Sequence, residues 1–205
     1  MENPPSSNQE SNTINLIEYK VVICGDSCVG KTSILVRFLH NSFSDIQFST
    51  ISSQGYIKEI DLQNGKPPVR LSIWDTAGQE QYNSLVKVFF RAAAAVILVF
   101  DITNEKSFVN LEKWHDLAYS CCPSETIFFI VGNKIDFPEE QQIVDCMKAS
   151  RMQENLGAVA YFTFSAKSGE GVSELFHTVA RDVSKLNTGI RSSLEIKEDE
   201  KKRCC

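Results

Sequence analysis

Residues 17–40 read IEYKVVICGDSCVGKTSILVRFLH, and positions 25–32 within them fit the pattern G-x-x-x-x-G-K-[ST]. The opening IEYKVVIC is rich in β-branched and apolar residues and reads as a strand. KTSILVRFLH continues as a helix. Gly25 and Gly30 permit backbone conformations that turn consecutive N–H groups inward, which makes a nest for phosphate oxygens. The helix that follows adds the positive end of its dipole. Lys31 is placed to reach β- and γ-phosphates, and the Thr32 hydroxyl to ligate Mg²⁺. Asp26, Ser27, Cys28, Val29 and Ser33 complete the candidate phosphate loop. On its own the loop specifies only a nucleoside triphosphate.

Outward from this stretch, strand-like runs alternate with helical spacing, the pattern of an α/β protein. YIKEIDLQ and PPVRLSIW flank Asn64-Gly65, a hairpin signal, so these two strands are expected to pair antiparallel. AAAAVILVFD, TIFFIVGN and VAYFTFSA are further strands, and helices are expected over 106–119, 141–155 and 172–185. Three more polar motifs, DTAGQE, NKID and SAK, directly follow strands. Ligands of open α/β sheets bind beyond the carboxyl ends of the strands. One edge therefore gathers all four motifs.

Each motif brings distinct chemistry. Asp75 ends a strand and can hold Mg²⁺ through water, opposite the phosphate loop. Gly78 lets a backbone N–H approach the γ-phosphate, and Gln79, with both a donor and an acceptor, can orient an attacking water. The Asp136 carboxylate can accept two hydrogen bonds from the N1–H and exocyclic amine of guanine, whereas adenine has an acceptor at N1. Asn133 either bonds the purine's other edge or ties the loop, and the Lys134 stem can cover the ring. Ser165, Ala166 and Lys167 would bring the Ala166 N–H to the guanine carbonyl.

Composition narrows the partners. A net charge of −5 argues against nucleic acid, which needs a basic face. Seven scattered cysteines do not suggest a disulfide framework, and the three histidines lack zinc-ligand spacing. The longest apolar run, 92–100, is far shorter than the ~20 residues of a membrane-spanning helix. The polar N-terminal stretch shows no targeting signal. Residues 1–15 are expected to be a disordered tail, 16–186 the folded domain, and 187–205 a polar, charged C-terminal tail.

GDSCVGKT, WDTAGQE, NKID and SAK, at these spacings, resemble the small GTPases of the Ras superfamily over residues 18–186. The resemblance implies an α/β P-loop GTPase fold: a six-stranded, mostly parallel sheet with one antiparallel strand and five helices on both faces. It implies GTP and GDP binding with Mg²⁺, GTP hydrolysis, and two switch segments that respond to the γ-phosphate. Thr50 would close onto Mg²⁺ in the triphosphate state, and Phe43 would lie against guanine, unless it anchors the core after the first helix. Gln79 and Lys31 would be catalytic, with an arginine supplied by an activating protein.

Within the superfamily the chain resembles the Rab branch. LVFDIT and FFRAA are similar to Rab segments, and Asn133 and Ser165 lie 32 positions apart, which leaves no room for a Rho-type insert. The terminal Cys204-Cys205 resembles a double geranylgeranylation signal rather than a C-a-a-X box. The resemblance implies vesicle traffic on the cytoplasmic face of intracellular membranes, with a cytosolic pool. It also implies exchange factors, GTPase-activating proteins, a GDP-dissociation inhibitor or escort protein, and effectors. Ser52 and Gly55 depart from the usual Rab glycine and aromatic after the switch threonine. An alternative function is thus a GTP-binding adaptor that hydrolyses little because switch I is altered. A P-loop ATPase or nucleotide kinase is disfavoured by NKID.

The tail from Arg191 carries five basic and four acidic residues. That near-balance gives little hold on an anionic leaflet, at about 1 kcal/mol per basic residue before the acids subtract. Buried lipid contributes about 0.8 kcal/mol per methylene, so two prenyl chains would dominate. Replacing Cys204→Ser with Cys205→Ser is expected to move the protein wholly into the soluble fraction on fractionation, with GTP affinity unchanged. A double mutant still on membranes would defeat the lipid reading.

Overall fold

The apolar run at 92–100 forms β4 shifted by one residue (Ala93–Asp101), and every residue of β4 is buried. A strand covered on both faces reads as a continuous apolar run. The computed structural model describes residues 13–45, 54–63, 65, 67–76, 86–186 and 189–195. The other elements are β1 (Thr13–Cys24), α1 (Lys31–His40), β2 (Gln54–Ile60), β3 (Val69–Asp75), α2 (Val86–Phe90), α3 (Glu105–Val109), α4 (Leu111–Tyr119), β5 (Ile127–Asn133), α5 (Cys146–Asn155), β6 (Ala160–Phe164), α6 (Val172–Val183) and β7 (Ile190–Glu195). Strand order is β2-β3-β1-β4-β5-β6, with β2 antiparallel to β3 and the rest of this path parallel. The six-stranded, mostly parallel path with one antiparallel strand expected from the sequence is thus present.

Alternation along the central strands divides the core between two faces. Val21, Ile23, Ile97, Val99 and Val131 pack with Ile34 and Leu35 of α1 and with Leu175, Phe176 and Val179 of α6. Val22, Val96, Leu98, Phe100 and Ile130 pack on the other face with Leu111 and Trp114 of α4 and with Ala149 and Met152 of α5. Each large side chain so buried contributes about 1.5–3 kcal/mol relative to exposure. The parallel strands therefore point their carboxyl ends, and the loops that follow them, at one edge.

Several boundaries differ from the sequence reading. The hairpin has the expected antiparallel pairing, but its last pair is Ile60 with Val69. Pro67 and Pro68 have no N–H for the ladder, and Asp61 Oδ1 accepts from Gln63 N–H at 2.7 Å to begin the turn early. The helix expected over 106–119 is two, α3 and α4, meeting at Asn110. The helix expected from 141 starts at Cys146, because Asp145 caps it by accepting from Lys148 N–H at 2.8 Å.

The tails differ more. β1 begins at Thr13, and β7 lies beyond residue 187, so both segments expected as tails contribute strands. Thr13 to Glu18 pair antiparallel with Glu195 to Ile190. Ile17 and Glu18 also pair with β3, so β7 takes the opposite side of β1, in line with β4, whose pairing starts at Lys20. Tyr19 Oη donates to Leu186 O at 3.4 Å. At Gly189 an added Cβ would lie 2.1 Å from Ile17 Cγ2 and 2.8 Å from the Tyr19 ring, so only glycine fits this crossing. Gly189→Val is expected to detach β7. Hydrogen exchange should speed up across 13–18, and the chain after 186 should become more protease-sensitive, with nucleotide binding retained. Unchanged exchange across 13–18 would contradict this account of the pairing.

Candidate functional site

The phosphate loop joins β1 to α1 with the backbone that its glycines allow. Gly25 has φ +143°, and a Cβ there would sit 2.1 Å from Val99 O. Cys28 adopts φ 65°, a left-handed conformation that costs a non-glycine residue about 1 kcal/mol, and its side chain is exposed like that of Ser27. Val29 is buried beneath the loop. Lys31 is buried and folds back, its Nζ donating to Gly25 O at 2.9 Å and Asp26 O at 2.8 Å. Ser33 lies half-buried in the first turn of α1. The Asp26 carboxylate turns to Asn110 and Trp114.

Thr32 and Asp75, 43 residues apart, meet directly: Thr32 Oγ1 donates to Asp75 Oδ2 at 2.6 Å. Asp75 is only 3% exposed, and its Oδ1 has no hydrogen-bond partner among the described residues. Burial raises its carboxyl pKa, against the opposing pulls of the Thr32 hydroxyl and the Lys31 charge. An unpartnered buried carboxylate oxygen is unfavourable, by roughly 1–3 kcal/mol or more. Beside a hydroxyl, it fits a hard cation such as Mg²⁺, which takes one or two protein oxygens together with phosphates. The Thr76 hydroxyl ties the strand end to Ile23 O at 2.9 Å.

At the other end, Asn133 takes the loop-tying role. Its Nδ2 donates to Val29 O at 2.9 Å, and its Oδ1 accepts from Ala166 N–H at 3.0 Å. Gly30 makes room, since a Cβ there would lie 2.2 Å from Asn133 Nδ2. The Ala166 N–H, assigned from sequence to the guanine carbonyl, is thus engaged by Asn133. Ser165 donates to Asp136 Oδ1 at 2.5 Å and accepts from Lys167 N–H at 3.0 Å, so it aims the Asp136 carboxylate. Asp136 is exposed.

Sequence reasoning missed the supports. Asp101, at the end of β4, pairs with Lys134 Nζ at 2.7 Å, and its Oδ1 accepts from the Thr103 N–H and hydroxyl. Arg37 of α1 donates to Ala166 O at 2.9 Å and Lys167 O at 2.6 Å, bracing that loop from below. A strand-terminal aspartate was the available signal for Asp101; nothing local marks Arg37. Lys167 Nζ approaches Asp45 at 3.3 Å, but both are exposed and the pair adds little. Phe43 is half-buried and packs against the α1–α6 side of the core. Thr50, Gly78, Gln79, Cys204 and Cys205 lie outside the described residues.

The sequence profile of the Ras family matches residues 20–185. The chain is 39% identical over 158 residues to human Ras-related protein Rab-21, covering 77% of this chain and 68% of the relative. It is 36% identical over 174 residues to dog Ras-related protein Rab-13, with 85% and 84% covered. Over 180 residues it is 36% identical to the Ypt/Rab-type GTPase YPT7 of Saccharomyces cerevisiae, with 86% of each covered. The chain belongs to the Ras family, in its Rab branch. It is a small GTPase, from a family of GTP hydrolases.

The Ser165 hydroxyl orients the Asp136 carboxylate, the group that the sequence reading assigns to guanine. A hydrogen bond to a charged group is worth about 1.5–3 kcal/mol, so Ser165→Ala is expected to weaken GTP binding by roughly tenfold or more. Asp136→Asn is expected to lose GTP affinity and shift preference toward xanthosine nucleotides, because one acceptor becomes a donor. Equilibrium competition among GTP, XTP and ATP reads both. Wild-type protein that binds ATP as tightly as GTP would remove the guanine assignment.

Proposed function

We propose that this chain is a Mg²⁺-dependent GTP hydrolase that acts as a membrane-anchored switch in vesicle trafficking. The observation that carries the proposal is the Thr32–Asp75 pair with its orphaned buried oxygen, next to the 25–32 loop that Asn133 ties to the 165–167 loop. When bound there, Mg²⁺ would neutralise charge on the β- and γ-phosphates. Lys31 would exchange its two loop carbonyls for phosphate oxygens, and the loop N–H groups would hold the rest of the charge. Asp136 would select guanine, and the Lys134 stem, fixed by Asp101, would cover the ring. Roles for Gly78 at the γ-phosphate, Gln79 at the water and Thr50 at the metal rest on the family resemblance.

An activating protein would supply the arginine, worth roughly 10³–10⁵ in rate. Exchange factors, a GDP-dissociation inhibitor or escort protein, and effectors would complete the cycle; membership of the Rab branch supports regulators and effectors in general. Among the described residues no helix is long and apolar enough to cross a membrane. Attachment through prenyl groups on Cys204 and Cys205, at the cytoplasmic face of intracellular membranes, rests on the resemblance of the terminal Cys-Cys to a Rab prenylation signal. In single-turnover assays with an activating extract, Gln79→Leu is expected to bind GTP almost normally and to hydrolyse it at least tenfold more slowly. Leucine cannot hydrogen-bond a water. Wild-type turnover in that variant would refute the role assigned to Gln79.

A further inference from the structure

We propose that Asn110 and Trp114 are positioning residues of the phosphate loop, acting through the Asp26 carboxylate to retain bound nucleotide. The proposal rests on reading 25–32 as the phosphate site and extends it to a helix on the far side of the loop. Trp114 Nε1 donates to Asp26 Oδ1 at 2.8 Å, and Asn110 Nδ2 donates to Asp26 Oδ2 at 2.7 Å. Both donors are buried, Trp114 completely. They stand four residues apart, so one helical face presents both to one carboxylate. Lys113 Nζ donates to Asn110 Oδ1 at 3.0 Å, which polarises the amide and strengthens its N–H donors.

Electrostatics gives this arrangement a purpose. A carboxylate in a loop that must receive phosphates repels them unless it is turned aside and held there by hydrogen-bond donors. Here each oxygen of Asp26 is engaged by a donor from the α3–α4 junction, and its backbone carbonyl accepts from Lys31 Nζ at 2.8 Å. Residue 26 is held at both ends. The N–H groups that follow it are thereby fixed in direction before any phosphate arrives, which is the condition for a preorganised anion site. Asn110 is also where α3 gives way to α4 while helical bonding runs on, from Asn110 N–H to Lys106 O and from Trp114 N–H to Asn110 O. The break thus falls on the residue whose side chain serves the loop.

The test is release of a fluorescent GDP analogue from the full-length protein in Mg²⁺ buffer. Trp114→Phe keeps a buried ring and removes the N–H donor. It is expected to speed release roughly tenfold, as for a lost hydrogen bond to a charged group, while the preference for guanine over xanthine is unchanged. Asn110→Asp keeps the shape, removes the donor and adds a like charge, and should speed release further. It serves as the second variant if Trp114→Phe does not fold. In an Asp26→Ala background, Trp114→Phe should add little, because the acceptor is already gone. Release at the wild-type rate, or the same acceleration with and without Asp26, would overturn the proposal and leave Trp114 a packing residue. Wild-type protein that fails to hold the analogue would instead overturn the nucleotide reading itself.

Discussion

The Asn133 amide, 2% exposed at the end of β5, donates to Val29 O and accepts from Ala166 N–H. Both of its polar ends are thereby satisfied across 104 and 33 residues of sequence. A buried amide left half-paired would cost about 1–3 kcal/mol, so the phosphate loop and the 165–167 loop are held in one relation to each other. Gly30 is required by the same contact, since any Cβ would strike the amide. This one side chain ties the 25–32 loop directly to the 165–167 loop.

Around that tie the site manages negative charge. Asp26, Asp101 and Asp136 each face specified donors: Asn110 and Trp114, Lys134 and Thr103, and Ser165. Asp75 differs, with one oxygen on Thr32 and the other buried without a partner among the described residues. The contrast separates aspartates that shape loops from the one suited to a cation. Burial raises the Asp75 carboxyl pKa, and the Thr32 hydroxyl and the Lys31 charge oppose that shift.

The β1–β7 pairing bears on the proposed anchor. β7 runs against β1, so Glu195 comes to rest beside Thr13, at the amino end of β1 and away from the edge that carries the phosphate loop. From Glu195 to Cys204 an extended chain reaches at most about 30 Å. A lipid-anchored tail leaving there would set the nucleotide edge away from the membrane surface, within reach of partners.

The sequence by itself determined the alternation of strands and helices, the glycine-rich turn between β1 and α1, the polar motifs at the strand ends and the antiparallel hairpin. Those properties are local: a glycine that must reach positive φ, a run of β-branched and apolar residues, a polar motif directly after a strand. Tertiary structure alone decided the rest. Asn110 and Trp114 read as ordinary positions of an amphipathic helix, and only the fold brings them to Asp26 across 84 and 88 residues. Arg37 reads as a solvated helix residue until its guanidinium meets carbonyls 129 and 130 positions away. The 190–195 segment looks like tail because a strand of six residues has no local stability, and it forms where β1 offers an unpaired edge below β4. Long-range partners leave no mark on local pattern, since folding selects them by shape and hydrogen-bond satisfaction after the chain has closed.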